Sequence, residues 1–239
     1  MAILLHIETA TEQCSVALSD NATLLSQKSI LDGGFKHAAK LHVFIDEILR
    51  QANISLSELD AVAVSAGPGS FTGLRIGSVA AKGLCFALDI PLITISTLQL
   101  LAAPHVQNAK VVALLDARRD EVYTATFDVG GKELSQMQAH ILTETSFADL
   151  AHEPVCFVGT GAEKAQNILP ENAHWQFLST HPIATAMLHL ATAAFEKKEF
   201  TDSAAFAPTY IKSVRITPSR KDALGRVVLF IGRLSAAKG

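Results

Sequence analysis

Three short apolar runs open this chain, and the turn residues between them leave few folds open. Ile3 to Glu8, Cys14 to Ser19 and Thr23 to Ile30 are separated only by Thr9-Ala-Thr-Glu12 and Asp20-Asn21, which predicts an antiparallel meander. A helix is predicted from Lys36 to Ala52, with Leu41, Ile45, Ile48, Leu49 and Ala52 along one face. Val43 and Phe44 fall off that stripe, so a second face is partly apolar. Leu59 to Ser65 then reads as a buried strand, Phe71 to Leu88 as a helix and Pro91 to Ile95 as a strand.

Meander, helix, strand, helix, strand is the order of a ribonuclease H-like half. After a helix predicted at Thr97 to Asn108, the pattern restarts with strands near Val111 to Asp116 and Glu121 to Val129. In this second lobe Pro154 to Val158 and Gly159-Thr-Gly161 read as strand, turn and helix, and Ile183 to Glu199 as a further amphipathic helix. The expected division is a lobe at 1–98, a lobe at 99–215 and a tail at 216–239. That tail carries the apolar run Val227-Val-Leu-Phe-Ile231 and reads either as a closing helix or as a frayed end. At 239 residues the chain is long enough to bury two small cores.

The hydrophobic fraction is 49% and the charged fraction 18%, apolar enough that some surface is expected to face a partner. Net charge is -3 with Lys and Arg dispersed, so the footprint of an independent nucleic-acid binder is missing and any nucleic acid is expected to be held mainly by another subunit. Cys14, Cys85 and Cys156 are far apart and odd in number, which suits neither a disulfide framework nor a zinc site. The start has no basic region ahead of its apolar run, and no apolar stretch approaches the roughly 20 residues that span a bilayer. A cytoplasmic protein without a membrane association is the expectation.

Ser65-Ala-Gly-Pro-Gly-Ser-Phe-Thr-Gly73 invites comparison with phosphate loops, because N–H groups at a helix start can hold an anion. A Walker loop would need a lysine where Leu74 stands, and a dinucleotide fingerprint would need a glycine where Thr72 stands. Two readings stay open. One is a strand-to-helix turn bent at Gly67 and Gly69 and capped by Ser70 or Thr72; the other is an anion site at Gly67, Gly69 and Ser70. The helix beyond is small-sided through Gly73, Gly77, Ser78, Ala80, Ala81, Gly83 and Ala87, although each interior glycine costs ~1 kcal/mol against alanine. Close approach of another element offsets that cost, supplied either by this chain or by a partner.

Catalytic groups fail to assemble. His37 and His42 are five apart, which turns them about 140° from one another on a helix and argues against a metal pair. Actin-like phosphotransferases place an aspartate at the end of the first strand, where this chain has Glu8-Thr-Ala10. Asp116-Ala-Arg-Arg-Asp-Glu121 is the richest charged cluster and reads as a solvated hairpin turn or as an anion site through Arg118 and Arg119. Ser65, Ser70 and Thr72 match no nucleophile elbow.

Leu4 to Leu18, Ser65 to Gly77 and Asp116-Ala-Arg-Arg-Asp-Glu-Val-Tyr123 resemble three signatures of the TsaB family, formerly YeaZ, clearly over residues 1 to 130 and weakly over 131 to 215. The resemblance implies an α/β, actin-like (ASKHA) fold of two ribonuclease H-like lobes. It implies a non-catalytic role in making threonylcarbamoyladenosine beside the anticodon of tRNAs that read codons beginning with A. The implied partners are the catalytic relative TsaD, which carries the metal-binding histidine pair, and the ATPase TsaE, with a homodimer when the chain is alone. No cofactor is implied for the isolated chain, and a nucleotide is placed at the heteromeric interface. Because that family pairs through its first two helices, the implied interface is His37, Leu41, Phe44, Ile45 and Ile48 with Gly73, Leu74, Arg75, Gly77, Ser78, Ala81 and Lys82. The alternatives are an ATP-dependent kinase and a degenerate glycoprotease of the same superfamily. Glu8 and Ala10 depart from the Asp and Ser frequent in the family.

Overall fold

The computed structural model describes residues 2–31 and 36–211. Strands β1 (Ile3–Glu8), β2 (Gln13–Asp20) and β3 (Thr23–Leu31) form the expected meander. Helix α1 (His37–Ala52) leads to β4 (Ala61–Ser65), parallel to β1, and α2 (Phe71–Leu88) leads to β5 (Leu92–Ile95), parallel to β4. The first sheet runs β3-β2-β1-β4-β5. A second sheet of order β10-β9-β6-β7-β8 repeats the topology, from β6 (Lys110–Asp116), β7 (Glu121–Phe127), β8 (Gln138–Ile141), β9 (Val155–Val158) and β10 (Trp175–Leu178). This is the two-lobed α/β, actin-like arrangement.

Strands β1, β4 and β5 of the first sheet alternate their side chains between two covers. Ile3, Leu5 and Ile7 join Leu41, Ile45, Ile48, Ala80 and Ala81 under α1 and α2. Leu4, Ala61, Ala63, Ile93 and Ile95 face the other way and pack on Met187 and Ala191. Full burial of aliphatic chains of this size stabilises by about 1.5–3 kcal/mol each, so both faces of the sheet need cover.

That second face explains the largest departure from the sequence reading. The helix expected over Ile183 to Glu199 in the second lobe is a 3-10 turn, Ala184–Met187, followed by α5 (Leu188–Glu196), and it packs on the first sheet. Ser15 Oγ accepts from the Ala184 N–H at 3.1 Å. The helix expected over Thr97 to Asn108 stops early, as α3 (Thr97–Ala102), just before Pro104, whose ring nitrogen cannot continue the ladder. A boundary at residue 98 cuts through α3, which serves both lobes: Leu100 packs with the first sheet, Leu98 and Leu101 with the second. The tail expected at 216–239, as a closing helix or a frayed end, lies outside the described residues.

In the second lobe only a 3-10 turn (Ala148–Leu150) stands where α1 stands in the first, and α4 (Ala162–Ile168) is short. Among the described helices only α2 has the length and mean hydropathy, 1.2 over 18 residues, to cross a membrane. This corrects the expectation that no stretch comes near that length; in the fold Leu74, Ala80, Ala81 and Cys85 are buried against the sheet.

Candidate partner-binding face

The glycine loop turns β4 into α2 by folding over the end of β1. Ser70 N–H donates to the Ala10 carbonyl at 2.6 Å, and Thr97 N–H donates to the Gly67 carbonyl at 2.9 Å. Gly67 has φ +102°, a conformation that suits glycine, and a Cβ there would meet the Thr209 carbonyl at 2.6 Å. A Cβ on Gly69 would run into Ala10. Ser70 then caps α2, its Oγ accepting from Gly73 N–H at 3.3 Å. Gly67 and Gly69 thus admit close packing on Thr209 and Ala10, and Ser70 caps α2, as the turn-and-cap reading expects.

The small side of α2 faces inward. Thr9 Oγ1 donates to the Gly73 carbonyl at 2.8 Å, and Cβ atoms on Gly73 or Gly77 would collide with Thr9. Leu74, Ser78 and Ala81 are buried, as are His37, Leu41, Ile45 and Ile48 on α1. These nine residues cannot form the exposed interface assigned to them, because the chain's own sheet already takes the close approach their size permits. Lys82 is also used internally: its Nζ donates to the Ala204 and Phe206 carbonyls at 3.1 and 2.9 Å. Of the expected interface, Arg75 is exposed and Phe44 half-buried.

The outward side of α2 carries a different set. Val79 is 70% exposed and Phe86 89%, with Gly83 between them opening on empty space. Arg75, Val79, Gly83 and Phe86 are spaced four, four and three apart and form one stripe. At its N-terminal end the Arg75 guanidinium lies 4.0 Å over the Phe71 ring, and Phe71 packs on Tyr210 at 5.1 Å between centroids. On α1, Val43 is 46% exposed. The sequence reading missed Val79 and Phe86 by attending to the small residues; the signal was their heptad spacing from Thr72.

Glu8, at the end of β1, is fully buried. Its Oε1 accepts from Ala10 N–H at 2.5 Å, and burial pushes its carboxyl up to about 7 although that N–H and the Ser65 hydroxyl favour the anion. It presents no solvent-facing carboxylate to a phosphate. His6, two residues earlier on the same face, is held neutral by burial down to about 3, with Nε2 2.8 Å from Ser19 Oγ. His37 is buried and His42 exposed, so the two rings do not converge.

Arg118 and Arg119 lie apart from the glycine loop, in the β6–β7 turn of the other sheet, both exposed and both at positive φ (70° and 54°). Asp116 Oδ1 ties the turn, accepting from Arg118 N–H at 2.6 Å and from Lys164 Nζ at 2.5 Å.

The family model described as "TsaD: tRNA N6-adenosine threonylcarbamoyltransferase" matches residues 33–228. The tRNA threonylcarbamoyladenosine biosynthesis protein TsaB of Haemophilus influenzae is 31% identical over 229 residues, covering 88% of this chain and 93% of that protein. The chain belongs to the TsaB family. Escherichia coli TsaB is 37% identical over a shorter stretch, 52% of this chain and 54% of its own length. A Pseudomonas aeruginosa structure described as similar to peptidase YEAZ superposes with TM-score 0.78 at 31% identity, covering 89% of this chain and all of that one. YeaZ from the same organism gives 0.77 at 28% identity. Gly69, Gly73 and Gly77 pack on Thr9 and Ala10, just past the end of β1.

Proposed function

We propose that this chain is a non-catalytic subunit in the threonylcarbamoylation of the adenosine beside the anticodon of tRNA. It pairs with a TsaD-like catalytic subunit through the outward faces of α1 and α2, and activates it. The observation that carries the reading is the stripe Arg75, Val79, Gly83 and Phe86: an 89%-exposed phenylalanine and a 70%-exposed valine on one helix face are an apolar surface made to be covered. The names of the relatives supply the pathway. A TsaE-like ATPase joins the complex, a nucleotide sits at the interface between subunits rather than in this chain, tRNA is engaged within the complex, and two copies use the same face when alone. The buried Glu8 and the filled glycine loop weigh against the kinase alternative.

The experiment is reconstitution: TsaD-like and TsaE-like partners, ATP, threonylcarbamoyl donor and unmodified tRNA, with and without this chain. Modification that depends on the chain supports the reading; equal modification without it overturns it. A second reading, that the chain is itself a transferase, draws on the family model it matches. Product formed by this chain with the TsaD-like subunit omitted would favour that reading.

A further inference from the structure

The 3-10 turn and α5 that cover the second face of the first sheet leave a cleft beside them. Met187 and Ala191 bury one side of these elements on the sheet. Thr185, Ala186 and His189, on the same elements, line the cleft. Gln99, Ala102 and Ala103 of α3 and its C-terminal end supply a second wall. Phe127 and the Gly130-Gly131 turn of the second lobe supply a third. The volume is about 450 Å³, inside the range of roughly 300–1,000 Å³ that small-molecule sites occupy.

Hydrogen bonds hold the walls in place. Gly130 N–H donates to the Val106 carbonyl at 2.9 Å, and Gly131 N–H to the Asp128 carbonyl at 3.0 Å. After α5 the chain returns along the first sheet, where Thr201 N–H donates to the Leu92 carbonyl at 2.8 Å and Thr209 N–H to the Ala66 carbonyl at 2.7 Å. The cleft stands at the Lys110–Phe127 end of the β6–β7 hairpin, whereas the turn carrying Arg118 and Arg119 closes the other end. At about 3.3 Å per residue along β6, the two are about 20 Å apart.

The lining restricts what can enter. No Asp, Glu, Lys or Arg lines the cleft, in a chain whose charged fraction is 18%. An ion would give up its hydration there with no counter-charge in the wall. The wall is not plain hydrocarbon either. Gln99, Thr185 and His189 bring three polar side chains to it, and none of these side chains has a hydrogen-bond partner among the described residues. A purely apolar occupant would leave them unpaired. A neutral molecule with donors and acceptors at its edge meets both conditions. The Gln99 amide presents N–H beside C=O, the complement of the CO–NH edge of a cyclic lactam. Ala102, Ala103 and Ala186 keep two of the walls low and leave room for a flat ring beside Phe127.

We propose that this cleft between the lobes is a binding site for a neutral bicyclic lactam heterocycle of the oxopurine class, held at its lactam edge by Gln99 and at its remaining polar atoms by Thr185 and His189. The site is independent of the pairing face, because α2 packs on the other side of the first sheet.

The test titrates hypoxanthine into the isotope-labelled full chain, beside indole, a ring of similar size with one N–H and no carbonyl. In two-dimensional NMR the amide signals of Ala103, Val106, Gly130, Gly131 and Thr185 and the side-chain amide of Gln99 are expected to move. Those of Gly73, Val79 and Phe86 are expected to stay still. For a ligand of about ten heavy atoms the expected dissociation constant is on the order of 1 mM or below. Gln99→Leu and Thr185→Val keep the side-chain shapes and remove the polar atoms. Each is expected to weaken hypoxanthine at least about fivefold and to change indole binding by less than about twofold. Preference of the wild type for indole overturns the proposal, as do shifts that are absent or lie away from the cleft. Both of those outcomes are read on the wild-type chain, whether or not the variants fold. Equal hypoxanthine affinity in wild type and the folded variants overturns it as well.

Discussion

Thr9 Oγ1, just past the end of the first strand, donates to the Gly73 carbonyl of the second helix at 2.8 Å. The bond fills the space that glycine leaves, and it shows why α2 tolerates glycines at 73 and 77: they admit the end of β1.

Gly77 is accordingly a stability position. Gly77→Val adds a Cβ into Thr9 Oγ1 and is expected to cost about 2–3 kcal/mol by overpacking, outweighing any gain in helix propensity. Urea unfolding checks it; an unchanged midpoint would mean that the helix can rise off the strand freely.

Lys82 binds the returning segment. Lys82→Met keeps the aliphatic stem and removes both bonds to Ala204 and Phe206, at a cost of about 1 kcal/mol for a half-buried cation on carbonyls. Amide exchange at Thr209 and Thr201 should quicken by about fivefold, while exchange in β1 and β4 stays the same. Uniform quickening everywhere would show instead a general loss of stability.

Glu8 and His6 set opposite pH slopes. Burial raises Glu8 from 4.5 to about 7, so its folded form holds a proton that the unfolded chain releases, and stability falls as pH rises from about 4.5 to 7. Burial lowers His6 from 6.5 to about 3, so stability falls as pH drops from about 6.5 to 3. Between about 4.5 and 6.5 the two slopes, each on the order of 1.4 kcal/mol per pH unit, oppose one another. In Glu8→Gln the His6 slope stands alone, and unfolding free energy should climb with pH across that window. A profile parallel to wild type would refute the burial of Glu8 as the cause.

The first lobe was legible in sequence because its strands and helices carry strong periodic signals: α2 begins and ends at Phe71 and Leu88 as read, with Ser70 as its cap. Strands β8 and β10 were missed because they are four residues long and largely exposed, Gln138–Ile141 without a single buried residue. The docking of α5 on the other lobe was invisible because an amphipathic pattern says that a face is buried, not what buries it. The same ambiguity misassigned the glycine face of α2. Small residues announce close approach, and here the approaching group is Thr9 of the same chain; the exposed Val79 and Phe86 had to be seen in place to be recognised as the surface left over.

The pairing face is tested most directly by titrating the chain into the TsaD-like subunit by calorimetry, comparing wild type with Phe86→Ser. Removing an 89%-exposed side chain should leave the unfolding midpoint within the ordinary scatter of surface changes, about 0.5 kcal/mol, and weaken association at least about tenfold. Association at wild-type affinity would contradict the assignment of the outward face of α2 as the surface that the partner covers.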